Sequence, residues 1–261
     1  MSSLVSVCIT TFNRKELLWL TLKSILDQTY KNIEIIIVDD CSIDGTQFLV
    51  ENEILKLDPR IKYIRHTENN GLAFARNTAI FNAKGKYFTF CDDDDLLMPN
   101  YIEEFMNEAS MHDDNWSFCC SGKYKNFLGT YIETSFQYEG TLKSLIKKGF
   151  TPPVSSQFYN LLSLKKINGY NQNIKSGVDH DLWIRLAKSG VKIKYISKQL
   201  SLPNANTNQK RMTTNYEERL NGIKNSIQIW ENDLIEMYGN KFFLEFSDAY
   251  IKRERLKFFN N

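Results

Sequence analysis

Apolar runs of strand length alternate with segments of helical period four times before residue 92, and few folds accommodate that order. Leu4 to Thr10 is a short β-rich run, and Arg14 to Gln28 carries Leu17, Leu18, Thr21, Leu22 and Ile25 on one helical face. Ile33-Glu34-Ile35-Ile36-Ile37-Val38 is nearly all apolar, as a strand buried on both faces must be. The pattern then predicts a helix over Gly45–Leu57, a strand over Ile61–Arg65, a helix over Leu72–Ala83 and a strand over Lys86–Cys91. Repeated strand-helix-strand units imply a parallel sheet with right-handed crossovers, flanked by helices. Ligands of such sheets gather at the carboxyl ends of the strands.

Three polar clusters fall at that edge. Thr10-Thr11-Phe12-Asn13-Arg14 follows the first strand, Asp39-Asp40-Cys41-Ser42 the second, and four consecutive aspartates, Asp92 to Asp95, the fourth. Adjacent carboxylates raise one another's pKa, so a divalent cation, an arginine cluster or a metal-bound phosphate is their natural neutraliser. A second reading makes the run an acidic turn capping the helix that starts near Pro99. Ser42 or Asp44 reads as a helix cap, but capping does not account for Asp39 directly after an apolar strand. Neither G-x-G-x-x-G nor G-x-x-x-x-G-K-[ST] occurs, so phosphate is expected to be held through metal on carboxylates rather than by a glycine loop.

Composition narrows the class. The 261 residues suffice for one large α/β domain plus a tail, and the net charge of +2 gives no global attraction to nucleic acid. Five cysteines with no C-x-x-C spacing point to reduced thiols and a cytoplasmic setting. No apolar stretch approaches the ~20 residues that span a bilayer.

The segments Val5–Arg14, Val38–Thr46, Glu68–Asn77 and Phe90–Asp95 resemble the successive motifs of glycosyltransferase family 2. The resemblance covers about residues 4 to 200 and implies the GT-A fold, a nucleotide-sugar donor and inversion at the transferred sugar. By this resemblance Asp39 accepts a hydrogen bond from the base, typically uracil, as a carboxylate suits an imide N–H. Thr10, Thr11 and Asn13 match the loop around the nucleoside. Asn70, Arg76 and Asn77 fall in the helix-entry motif below the nucleotide, although Ala75, Ala79 and Ala83 equally mark a close-packed helix and Arg76 equally reads as an ion-pair partner of the acidic run. Asp92 and Asp94 fit the ends of D-x-D, with Asp94 the metal ligand for Mn²⁺ or Mg²⁺ and Asp92 or Asp93 near the ribose. The register stays open, because Asp93 to Asp95 also spells D-x-D.

Gly169-Tyr170-Asn171 and Val178-Asp179-His180-Asp181-Leu182-Trp183-Ile184-Arg185-Leu186 resemble the family stretch ending in E-D-x-D-L-W-x-R-L. That maps the general base to Asp179. Val178 stands where Glu is common, which leaves Asp181 as the competing choice; otherwise Asp181 serves the first helical turn. His180 reads as an exposed or acceptor-facing histidine, with a base role as the alternative because its free pKa is near neutral. The loop Asn204 to Thr214, with Lys210 and Arg211, is either a lid over the diphosphate or a solvated connector.

From Tyr216 the character changes. Leu220, Ile223, Ile227, Trp230, Leu234 and Met237 recur at steps of three and four, a seam expected to pack on its own domain. Lys241 to Phe259 mixes aromatic and basic residues and reads either as a solvated terminal helix or as a surface helix at an anionic membrane. The organisation expected is a GT-A domain over 1–213, with a nucleotide-sugar half (1–98) and an acceptor half (99–213), and a helical extension over 214–261. The activity expected is metal-dependent, inverting transfer from a nucleotide sugar, UDP by preference, to a glycan or lipid-linked hydroxyl in surface polysaccharide or lipooligosaccharide assembly, at the inner face of the cytoplasmic membrane. Nucleic acid is not an expected partner, and the sequence leaves homo-oligomerisation open. A sugar-nucleotide nucleotidyltransferase would need a G-x-G-T-R-like loop that Thr10-Thr11-Phe12-Asn13 does not supply. A non-catalytic nucleotide-sugar-binding module would not need every acidic motif.

Overall fold

The computed structural model describes residues 2–125, 131–134, 143, 152–203 and 216–259. The loop Asn204 to Thr214 therefore lies outside the described residues. The first half alternates as its sequence predicts: β1 (Val5–Thr11), α1 (Lys15–Leu26), β2 (Ile33–Asp39), α2 (Thr46–Asn52), β3 (Ile61–Arg65), α3 (Leu72–Asn82) and β4 (Tyr87–Phe90). The helix expected over Gly45–Leu57 ends at Asn52 and passes into a 3₁₀ turn over Ile54–Lys56. After β4 come β5 (Leu96–Leu97), α4 (Tyr101–Ala109), β6 (Trp116–Lys125), β7 (Tyr131–Thr134), β8 (Gln157–Asn160), α5 (Leu161–Lys166), α6 (Val178–Lys188) and β9 (Lys192–Leu202). Two long helices close the described chain, α7 (Tyr216–Tyr238) and α8 (Asn240–Phe259).

The strands form one sheet in the order β3-β2-β1-β4-β8-β6-β9-β5, with β7 beside β6. β3, β2, β1 and β4 run parallel, β8 lies antiparallel between β4 and β6, and β6 and β9 are again parallel. The chain leaves β1 toward β2 on one side and returns to β4 on the other, which opens a crevice at the carboxyl ends of β1 and β4.

Burial on both faces follows from the alternation of side chains along a strand. Val5, Val7 and Ile9 of β1, with Ile33, Ile35 and Ile37 of β2, pack against Leu18, Leu22 and Ile25 of α1 and Phe105 of α4. Cys8, Ile36 and Val38 face the opposite layer, where they meet Ala75, Ala79 and Ile80 of α3 and Trp183 of α6. Glu34, a charge within β2, accepts hydrogen bonds from Ser6 Oγ at 2.6 Å and Lys84 N at 2.6 Å and pairs with Lys62.

A third apolar cluster joins α7 and α8 to Ile184 of α6 through Ile223, Ile227, Trp230, Leu234, Phe242, Phe243, Phe246 and Tyr250. The α7 seam packs on its own domain, as its spacing predicts. The α8 aromatics differ from expectation: Phe242, Phe243 and Phe246 are buried between the helices rather than presented at a surface. Burying them removes more apolar area from water than a solvated helix would, at roughly 25 cal/mol per Å².

Candidate active site

Loops after three parallel strands build the crevice. After β1, Asn13 turns back with φ 54°, a left-handed conformation that asparagine tolerates better than most residues. Its side-chain oxygen accepts from Ile43 N and its own N–H donates to Ser42 Oγ, both at 2.8 Å. Asp44 ties the same two loops, accepting from Lys15 N at 2.9 Å and from Thr46 N at 3.1 Å. The loops after β1 and β2 are thereby locked as one surface, while Thr10 is buried at its edge.

Asp39 is fully buried at the end of β2. One carboxylate oxygen accepts from Ser42 N at 2.8 Å, the other from the Tyr63 hydroxyl at 2.6 Å, with Arg65 Nε at 3.7 Å. Burial and the Asp39 charge hold the Tyr63 phenol well above its ordinary pKa, so it stays a donor. The sequence reading did not single out Tyr63 or Arg65; they lie on β3, whose pairing with β2 brings Arg65 opposite Asp39. Asp40 turns the other way and accepts from Asn70 N at 3.0 Å, Gly71 N at 2.7 Å and His66 Nδ1 at 2.8 Å. It satisfies orphan donors at the entry to α3. Asn70 meets the site through its backbone, its side-chain amide donating to the Glu68 carbonyl at 3.1 Å.

The four aspartates alternate in exposure. Asp93 and Asp95 are buried, whereas Asp92 and Asp94 are partly open. Asp93 accepts from Thr11 Oγ1 at 2.8 Å and Arg14 Nη1 at 2.9 Å, and Arg14 also reaches Asp94 at 3.4 Å. Burial pushes the Asp93 carboxyl up to about 6, against the lowering pull of Arg14. Asp95 accepts from Ser155 Oγ, which in turn accepts from Asp92 N–H at 3.1 Å. The run does not cap α4: Asn100 precedes that helix, and β5 intervenes. Among the described residues, Asp92, Asp94 and Asp95 place one carboxylate oxygen each within 4.8 Å of the others. Hard oxygen donors in that arrangement suit Mg²⁺ or Mn²⁺ and not thiophilic metals.

Asp179, in the first turn of α6, comes to the same crevice. Its Oδ1 accepts from Arg76 Nη1 at 2.9 Å and from the Tyr170 hydroxyl at 3.2 Å. Arg76 Nη2 meets Asp92 Oδ1 at 3.0 Å, so one buried guanidinium spans the acidic run and Asp179. It lies over the Phe90 and Tyr170 rings at 5.4 and 5.1 Å. Desolvation in the crevice raises the Asp179 carboxyl above its ordinary range, with Arg76 opposing that shift. Asn77 fixes Tyr170 through a reciprocal pair, Nδ2 to Tyr170 O at 2.8 Å and Tyr170 N to Oδ1 at 2.7 Å.

Of the neighbours of Asp179, Asp181 points away from the crevice, whereas His180 lines the same cavity as Asp179. Asp181 is buried and accepts from Arg185 Nε at 2.7 Å and Trp230 Nε1 at 3.0 Å. It fastens α7 to α6 and is remote from the crevice chemistry. His180 is not an exposed histidine; it is enclosed by Tyr250 OH at 3.2 Å and Arg253 Nη2 at 3.3 Å. Both contacts come from α8, whose placement no local sequence signal announces.

Residues 6–167 match the family model described as Glycosyl transferase family 2. An uncharacterized glycosyltransferase of Rickettsia conorii is 38% identical over 201 residues, 76% of this chain and 32% of its own length. The chain thus spans about a third of that relative. TuaG of Bacillus subtilis, provisionally named a teichuronic acid biosynthesis glycosyltransferase, is 32% identical over 192 residues, 72% of this chain and 73% of its own. The crystal structure of Staphylococcus aureus TarS residues 1–349 in complex with UDP-GlcNAc superposes with a TM-score of 0.76, covering 95% of this chain and 72% of that one at 22% identity. That likeness establishes the GT-A fold, a curled mixed sheet between helices. On its family match and its likeness to TuaG, the chain belongs to glycosyl transferase family 2.

Proposed function

We propose that this chain is a metal-dependent inverting glycosyltransferase that moves a sugar from a UDP-sugar to a hydroxyl of a glycan or lipid-linked acceptor in surface polysaccharide assembly. The observation that carries the reading is the carboxylate trio Asp92, Asp94 and Asp95 joined through Arg76 to Asp179. TuaG supports the polysaccharide context, and the TarS complex supports a UDP-sugar donor.

In this reading Asp94, with Asp92 and Asp95, would hold a divalent ion, which would supply positive charge to the diphosphate of the leaving group. Thr10, Thr11, Asn13 and Asp39 form the nucleoside side of the crevice, with Tyr63 and Arg65 bordering Asp39. Asn70 and Asn77 set the entry and packing of α3, which carries Arg76, and Asp93 fixes Arg14 beside Asp94. Asp179 removes the proton from the acceptor hydroxyl as its oxygen bonds to the anomeric carbon. The bond from that carbon to the diphosphate oxygen breaks, its electron pair leaves with UDP, and a single displacement inverts the centre. The raised Asp179 carboxyl is a better proton acceptor than an ordinary aspartate, and the Arg76 charge opposes that rise. A lipid-linked acceptor would place the enzyme at the inner membrane face, toward which α8 offers exposed Lys241, Lys252 and Arg255. Among the described residues no helix is long and apolar enough to cross a membrane.

A melting-temperature screen with UDP, GDP, dTDP and CMP, each with Mn²⁺ and with EDTA, tests the reading. UDP with Mn²⁺ is expected to give the largest rise, equivalent to about 2.7 kcal/mol at a hundredfold excess over Kd. A larger rise with another nucleotide, or one insensitive to EDTA, would overturn the donor or the metal assignment.

A further inference from the structure

Asp179 opens into a cavity of about 640 Å³ whose far wall is made by α7 and α8. That size falls in the ~300–1,000 Å³ range of small-ligand clefts. The near wall is the start of α3, with Phe74, and the far wall presents Arg219, Tyr250 and Glu254. These three lie beyond residue 167, where the family match ends. Glu254 is buried and accepts from Arg219 Nη2 at 2.7 Å and Nε at 3.1 Å. Glu254 Oε1 also accepts from Arg253 Nη2 at 3.1 Å, so the wall carries a carboxylate held between two guanidiniums, grouping the acceptor and donor types that a sugar hydroxyl uses together.

The helical pair is also bound to the residues flanking Asp179. Trp230 holds Asp181, Tyr250 meets His180, and Ser226 Oγ donates to Ser176 O at 2.7 Å. Gly177 sits between them with φ 82°, where a Cβ would approach the Tyr250 hydroxyl at 2.9 Å and the Trp230 ring at 3.1 Å. The far wall is thus set against the Asp179 turn by direct packing. Charge around the cavity is balanced, with Lys175 and Arg219 against Asp179 and Glu254. Nothing there selects an acidic or basic group, while Tyr250 and Phe74 supply apolar surface for the C–H face of a ring.

We infer that this cavity is the acceptor subsite, that it takes a neutral glycosyl residue, and that the Arg219–Glu254 pair of the C-terminal helices reads that residue's hydroxyls. The inference rests on the proposed role of Asp179 as base. Saturation-transfer NMR on the full chain with UDP and Mg²⁺ tests it, using octyl β-glucoside, octyl β-galactoside and octyl N-acetyl-β-glucosaminide as probes. Ring protons of at least one probe are expected to receive saturation in the wild type. Glu254→Gln and Gln172→Trp, the latter filling the cavity from its exposed rim, are expected to lower that signal at least ~5-fold while the UDP-induced melting shift persists. If Glu254→Gln does not fold, Gln172→Trp decides alone. No signal from any probe with the wild type, or an unchanged signal in the variants, would overturn the subsite. If UDP gives no melting shift yet the sugar signal behaves as stated, the donor reading fails and the subsite stands.

Discussion

Arg76 on α3 and Asp179 on α6 are 103 residues apart in sequence and meet at 2.9 Å. The other arm of the same guanidinium holds Asp92 at 3.0 Å. Two carboxylates of one crevice are thereby kept at a fixed separation by a single buried cation. Removing it leaves them facing each other unscreened. Arg76→Ala is expected to cost about 1–3 kcal/mol in urea unfolding, because the guanidinium is buried while the two carboxylates it leaves are partly exposed. Arg76→Lys should fold but lose at least ~10-fold in turnover, because a point charge cannot reproduce the two-armed contact. A loss under about 1 kcal/mol for Arg76→Ala would contradict the bridging role.

Asp181 carries the opposite expectation to its neighbour. It is buried on Arg185 and Trp230, so Asp181→Ala should destabilise by about 3 kcal/mol through the orphaned partners. Trp230→Phe should cost about 1–2 kcal/mol. Neither should shift the pH profile of transfer in whatever enzyme remains folded, as read from kcat/KM against pH.

Asp93 makes stability depend on pH in a direction opposite to most carboxylates. Its carboxyl titrates at about 6 in the fold against 3.8 as the ordinary value, so the folded state binds the proton more tightly than the unfolded chain. The sign follows: this contribution is fully present below the unfolded pKa and is lost as pH rises through about 6. In EDTA, wild-type stability relative to Asp93→Asn should increase from pH 7 to pH 4 by up to about 3 kcal/mol, at ~1.4 kcal/mol per pH unit. Parallel curves for the two proteins would contradict the shift.

Gly169 lies where the backbone, with φ 63°, passes the Asn77 side chain; a Cβ there would stand 2.2 Å from Asn77 Oδ1. Gly169→Ala is expected to cost at least ~2 kcal/mol and to loosen Tyr170, whose N–H and C=O both depend on Asn77. Chemical unfolding with Tyr170 amide exchange as a second probe checks both parts.

The parallel half of the fold was legible because β1, β2 and β4 are apolar runs and α1 and α3 repeat Leu, Ile or Ala at three and four. Ile61–Arg65 matches its predicted bounds. β8 was not legible: four residues that include Gln157 and Asn160 have no alternation to read, and the strand exists because β4 and β6 pair with it across the sheet. The same division holds in the crevice. Asp39, Asp92 and Asp179 stand out as carboxylates beyond apolar runs or in motif, and Arg76 as an ion-pair partner of the acidic run, whereas the Tyr63 contact to Asp39 and the second arm of Arg76 on Asp179 are properties of packing. The α7 seam was readable, but its partner was not, because nothing near Trp230 specifies Asp181 as the group its indole would meet.

In the proposed mechanism, metal-assisted donor binding and proton removal reside on different carboxylates, Asp94 and Asp179. Calorimetric titration of UDP with Mn²⁺, set beside turnover, separates them. Asp179→Asn should bind UDP within about twofold of wild type and lose at least ~10²-fold in turnover, whereas Asp94→Asn should lose Mn²⁺-dependent UDP binding itself. Unchanged UDP affinity in Asp94→Asn, or near-normal turnover in Asp179→Asn, would contradict the account.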